Sequence, residues 1–128
     1  MLTGDMLRRS AARFPEKAAI IWQDDELSYA DLNARSNQLA NILLANGLKK
    51  GAKIGILSRN RAEYGISFFG VSKSGGVLVN ISVLYAPDEL CFVLDKADVE
   101  ILIYEDVFAE KITAIRGRMP AIHTWISL

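Results

Sequence analysis

The 128-residue sequence contains one cysteine, one histidine and three prolines, and its charges balance, with 15 Lys and Arg against 15 Asp and Glu. Each scarcity removes a class of protein. A lone Cys91 cannot close an internal disulfide, and it sits in the apolar run Leu90 to Leu94, where a small buried thiol is the ordinary reading. A reducing, cytoplasmic compartment is therefore expected. A single His123, with no second histidine and no cysteine pair, leaves a zinc site without a ligand set and Cys91 without a base to activate it. Zero net charge supplies no long-range field for nucleic acid or for an anionic membrane surface. The uncharged stretch Tyr64 to Ser72 falls well short of the roughly 20 residues a membrane span needs, and Asp5 and two arginines interrupt the N-terminus, so neither a span nor a signal peptide is expected.

What the chain does have is apolar residues, at 51% against 23% charged. That is slightly more than a soluble domain usually carries, and it leans toward a chain with more apolar surface than it can hide alone. The length suits one compact domain, burying about two-thirds of the surface the unfolded chain exposes.

Along the chain, strand patterns alternate with helix patterns. Thr3 is placed to cap a helix that Pro15 stops at Phe14. Ala18 to Trp22, a turn at Gln23, Asp24 and Asp25, and Leu27 to Tyr29 read as a β-hairpin. Ser28 and Asp31 have the form of a capping box, Leu32, Leu39, Ala40 and Leu43 recur at helical spacing, and Gly47 closes that helix. Lys53 to Leu57 reads as a buried strand; Asn60 and Glu63 open a helix that ends at Gly75 and Gly76. Val77 to Ile81 is a strand, Pro87 to Lys96 a helix, Glu100 to Tyr104 a strand, Asp106 to Arg118 a helix and Ile122 to Ile126 a closing strand. This order predicts an α/β fold, a mostly parallel sheet with helices on both faces, joined by right-handed crossovers.

Local candidates for chemistry fail one by one. The strand-to-helix turn Ser58, Arg59, Asn60 lacks the glycines that let backbone amides approach a phosphate. Gly70 and Gly75 have the spacing of two P-loop glycines, but Gly76 and Val77 stand where Lys and Ser or Thr would bind phosphate and magnesium. Asp24, Asp25 and Glu26 cluster in a turn, where solvated carboxylates stabilise the bend. Arg8, Arg9, Arg59 and Arg61 fall on helix faces or ends that are solvated in any case, and Trp22, Phe68, Phe69 and Phe92 are read as core. No catalytic, cofactor-binding or metal residue is assigned.

Read together, several stretches resemble the opening of the AMP-forming acyl-CoA synthetases, the adenylate-forming ligases that also include luciferases and the adenylation domains of peptide synthetases. "LSYADLNARSNQLANILLANGLKKG" from Leu27 to Gly51 is similar to the early family helix, and "KIGILSRNRAEYGISFFGVSKSGGVLV" from Lys53 to Val79 to the strand and helix that follow. Pro87 to Leu94 resembles the Pro-Glu-Glu-Leu helix, and "GDMLRRSAARFPEKAAII" the family N-terminus. Ala86 departs from the usual capping Thr or Ser, and "NISVL" at Asn80 to Leu84 lacks a proline common in that loop.

The resemblance implies a two-step ligase, in which a carboxylate attacks the α-phosphate of ATP and coenzyme A then displaces AMP, with magnesium offsetting phosphate charge. It also implies that residues 1–128 are a single N-terminal lobe, a partial AMP-binding domain whose phosphate loop, adenine and ribose contacts and C-terminal catalytic lysine lie in sequence that is absent. ATP, magnesium and coenzyme A are then cofactors of the complete enzyme, with none expected on this segment, which is scaffold and inactive alone. Its expected partner is the remainder of the enzyme, or a second copy through exposed apolar surface. The contrasting expectation is a free-standing α/β interaction or regulatory module related to the ligases.

Overall fold

A computed structural model describes residues 3–22, 25–59 and 62–128. Helix α1, Thr3–Arg13, is followed by the antiparallel hairpin of β1, Ala18–Trp22, and β2, Asp25–Ser28. Helix α2, Tyr29–Ala45, leads into β3, Lys53–Leu57, then α3, Ala62–Ser74, and β4, Val77–Asn80. Helix α4, Pro87–Lys96, precedes β5, Val99–Tyr104, a single 3-10 turn, Asp106–Phe108, α5, Ala109–Arg116, and β6, Thr124–Ser127. The last four strands form one parallel sheet in the order β4-β3-β5-β6.

Side-chain alternation divides the core into two layers. Ile54, Ile101 and Ile103 point to one face, where they meet Leu32, Leu39 and Leu43 of α2 and Ile66 and Val71 of α3. Leu57, Val99 and Leu102 point to the other and meet Leu90 and Leu94 of α4 and Ile112 and Ile115 of α5. β5 is buried at Val99 and from Ile101 to Ile103, the near-continuous apolar run that a parallel strand covered on both faces requires. Helices thus flank both faces, as the alternation of patterns predicts.

Helix ends follow local chemistry. The Ser28 hydroxyl accepts the Asp31 backbone N–H at 3.1 Å and starts α2. At the other end the Asn46 side chain donates to the Ile42 carbonyl at 2.8 Å, and Gly47 follows in the left-handed region. The caps predicted at Asn60 and at the Thr3 side chain, Gln23 and Asp24 of the predicted turn, and the Trp22 side chain lie outside what is described, whereas Asp25 and Glu26, also read as turn, pair with Trp22 and Ile21 in the hairpin as part of β2. For α4, the Ala86 N–H donates to Glu89 Oε1 at 3.3 Å, but Ala86 has no oxygen to return a bond to the first turn. Ala86→Ser should therefore raise stability by about 1 kcal/mol, read as a higher thermal midpoint.

Four further expectations need correction. The helix predicted from Asp106 to Arg118 begins as a 3-10 turn closed by Phe108 N–H to the Glu105 carbonyl, and ends at Arg116, where Arg118 N–H reaches back only to Ile115. The closing strand starts at Thr124, because Ile122 is held in a turn on the Met119 carbonyl and packs inward. Phe92 is 67% exposed and Phe68 is 40% exposed, so neither is core. Both sit on the outer sides of helices whose inner sides are filled by Leu90 and Leu94 in one case and Ile66 and Val71 in the other. Phe69 does pack on the first core layer, edge-on to Phe68.

Candidate functional site

From β3 the chain leaves for β4 on one side, and from β5 it leaves for β6 on the other, so the sheet order reverses between β3 and β5. In open parallel sheets, ligands bind in the crevice that such a reversal leaves beyond the carboxyl ends of the strands. Here Arg59, after β3, and Glu105, after β5, meet at that position. Glu105, the first residue after β5, is only 4% exposed. Its Oε1 accepts the Arg59 backbone N–H at 2.9 Å and the Ser58 hydroxyl at 3.3 Å. Its Oε2 accepts Arg59 Nε at 3.0 Å, and the Arg59 Nη2 completes a two-pronged ion pair. The backbone joins in, since Glu105 N–H donates to the Leu57 carbonyl at 2.9 Å.

This arrangement corrects the reading of Arg59 as a merely solvated helix-end cation. The carboxylate of Glu105 hydrogen-bonds the guanidinium and raises its pKa further above the arginine range. Glu105 is a residue that sequence reasoning passes over. A signal exists: Leu57-Ser58-Arg59 and Tyr104-Glu105 are the points where two apolar strands turn polar at the same end of a parallel sheet. Glu105 is engaged by Ser58 and Arg59, and the turn has no glycine at 58 or 59 of the kind a phosphate-binding loop uses.

Nearby, Lys111 of α5 donates to the carbonyls of Val83 at 2.9 Å and Tyr85 at 2.8 Å, holding the β4–α4 loop against the next helix. This contact ties down the same carboxyl edge of the sheet.

The other sequence candidates separate. Cys91 is buried in the second core layer, and His123 is exposed with its Nδ1 2.8 Å from Thr124 Oγ1. No three His, Cys, Asp or Glu side chains among the described residues converge as a metal site would require. Gly75, at φ 85°, ends α3, and Gly70 lies mid-helix against Leu39, so the P-loop spacing is helix termination and close packing. Asp24 and Arg61 lie outside the described residues, and Arg8 reaches Asp5 at 3.9 Å.

A second polar cluster joins α2 to α3. Lys73 Nζ donates to Ser36 Oγ at 2.7 Å and to Asn33 Oδ1 and Asn37 Oδ1 at 2.8 Å each. These acceptors are neutral, and burial lowers the lysine pKa below its ordinary range. The native state then binds fewer protons than the unfolded chain just below the unfolded lysine value of 10.5, so this site's contribution to stability rises with pH through that window. Urea midpoints at neutral and alkaline pH should show this rise in the wild type and its loss in Lys73→Met.

Comparison with known proteins gives one consistent answer. The family model described as AMP-binding enzyme matches residues 7–127. The medium/long-chain-fatty-acid–CoA/3-oxocholest-4-en-26-oate–CoA ligase of Mycobacterium marinum is 32% identical over 120 residues, which is 94% of this chain and 22% of that protein. Among solved structures, a Mycobacterium tuberculosis fatty acyl CoA synthetase superposes with a TM-score of 0.88 at 32% identity, over 99% of this chain and 26% of that one. The anthranilate CoA ligase AuaEII in complex with anthranoyl-AMP gives 0.91 at 29% identity, over all of this chain and 25% of that one. The chain spans about a fifth of the length of the curated ligases it matches.

Proposed function

Because this chain belongs to the AMP-binding enzyme family, we propose that it forms the N-terminal lobe of an AMP-forming acid–thiol ligase and serves there as scaffold. The observation that carries the reading is the match across 94% of this chain against 22% of the ligase. At the position where a doubly wound sheet would bind its ligand, Arg59 and Glu105 engage each other, which supports a scaffold role. The complete enzyme uses ATP, magnesium and coenzyme A to convert a carboxylate to its thioester, and this segment supplies none of the residues that touch them. It works in the cytoplasm.

Its partner is the rest of the ligase, and alone it self-associates. The accessible surface, 7468 Å², is roughly a tenth above the ~6,700 Å² expected of a compact monomer of this mass. Ile21, Leu84 and Phe92 are among the large apolar side chains left exposed.

Isothermal titration of the 128-residue chain with ATP–magnesium and with coenzyme A should show no heat of binding. Tight ATP binding would sink the scaffold reading, and light scattering that stays monomeric at high concentration would remove self-association.

A further inference from the structure

Residues 82–85 leave the sheet after the Ile81 N–H makes its bond to the Ile56 carbonyl at 3.0 Å, and the chain enters α4 at Pro87. Side chains alternate along this short loop. Val83 and Tyr85 pack on the second core layer, while Leu84 between them is 89% exposed. The loop's own bonds are local, from the Leu84 N–H to Ser82 Oγ at 3.2 Å and from the Tyr85 N–H to the Ser82 carbonyl at 3.5 Å. Among the described residues, the hydrogen bonds that tie it to another element both come from Lys111 of α5, at 2.9 Å to the Val83 carbonyl and 2.8 Å to the Tyr85 carbonyl. The same ammonium lies 5.6 Å from the centre of the Phe108 ring, a second contact that positions it.

Strand order gives these bonds their meaning. The loop follows β4 and α5 follows β5, and β3 lies between those two strands, which two sheet spacings put about 10 Å apart. The bonds from Lys111 therefore bridge the carboxyl end of β3, where Ser58 and Arg59 leave the sheet. They do so on the side of the second core layer, where Val83, Tyr85, Phe108 and Leu57 all pack.

We propose that residues 82–85 form a strap across the carboxyl end of β3, latched by Lys111, which opens and closes as a unit while the sheet stays folded. Closed, it shields the turn at Ser58 and Arg59; open, it exposes that turn to solvent. A loop tied to the rest of the fold by one side chain opens at a free energy set by that side chain, well below the cost of unfolding the strands beside it. Lys111 is thus a positioning residue. Its acceptors are backbone carbonyls, so the latch needs a cationic donor at 111: arginine can supply one, whereas methionine keeps the apolar stem and donates nothing. The inference stands independently of the ligase reading.

The test is limited chymotrypsin digestion of the 128-residue chain, with cleavage after Leu84 and Tyr85 read by mass, because proteolysis of a native protein follows the population of the opened form. Lys111→Met, which removes two hydrogen bonds from a charged donor, should speed that cleavage at least about tenfold. Exchange of the Arg59 amide, read by NMR, should rise with it, and Lys111→Arg should return both toward the wild type. Leu39→Ala, which weakens the opposite core layer, should leave both readouts unmoved, because the sheet remains folded when the strap opens. Cleavage unchanged in Lys111→Met, equally fast in Lys111→Arg, or raised as much by Leu39→Ala would overturn the strap, and an Arg59 amide that does not respond would overturn its place across β3.

Discussion

Glu105→Ala should unfold at a lower urea concentration, with a loss of about 2–3 kcal/mol and an unchanged slope. The carboxylate is almost wholly buried and accepts the Arg59 backbone N–H, the Ser58 hydroxyl and the Arg59 guanidinium. Hydrogen bonds to a charged group contribute about 1.5–3 kcal/mol each, and a buried donor left without its acceptor loses its full desolvation cost. Removing the carboxylate also relieves the cost of burying it, which is why the net loss stays below the sum of its bonds. The Ser58 hydroxyl keeps a partner in the Arg59 carbonyl at 2.9 Å, whereas the Arg59 N–H loses the Oε1 acceptor it has here. Glu105→Gln should recover little, because one arm of its amide presents hydrogens to a guanidinium that also donates. Amide exchange read by NMR should rise most at Arg59. A shift below about 0.5 kcal/mol, of the size expected from a surface change, would show that the switch-point pair does not hold the ends of β3 and β5 together.

The second large effect is expected where α2 crosses α3. A Cβ on Gly70 would lie 2.7 Å from Leu39 Cδ2, 2.9 Å from its Cγ and 3.0 Å from its Cβ. A rotamer change moves the first of these atoms but not the last, since Leu39 Cβ is fixed to the α2 backbone. Gly70→Leu therefore forces the helices apart and should cost about 2–3 kcal/mol, even after the gain in helix propensity. Leu39→Ala alone should cost about 2–5 kcal/mol by opening a cavity in the first core layer, because Leu39 is buried. Combined, the new leucine occupies the space the old one left, and the double variant should be more stable than the sum of the two losses by at least about 1 kcal/mol. Strict additivity in urea midpoints would mean that the two side chains do not share this space.

Much of this architecture is legible in the sequence because its signals are local. Leu32, Leu39 and Leu43 at helical spacing, the Ser28 cap, the Pro87 start and the apolar run of β5 each act within one turn or one strand, and the structure places each element within a few residues of its expected position. The apolar alternation also implies a sheet covered on both sides. The boundaries that moved, at Asp106 and at Ile122, are those where a contact from a distant strand or turn competes with helix or strand propensity. Phe68 and Phe92 depart from expectation for a related reason: an aromatic residue within a helix pattern says nothing of which side faces the sheet until the register of its neighbours is known.

The candidate site belongs to the other kind of information. Ser58 and Arg59 stand 47 and 46 residues from Glu105, and the apolar-to-polar change after each strand marks a strand end without saying which ends meet. It arises because β3 and β5 are adjacent, parallel and in register from Gly55 and Leu102 to Leu57 and Tyr104. Periodicity, capping and family likeness are carried by neighbours along the chain, so the sequence alone determined the α/β class and the element order. Which polar ends meet depends on strand order, and long-range backbone pairing sets that order without leaving a local signature; only the tertiary structure decided that an ion pair joins the ends of β3 and β5.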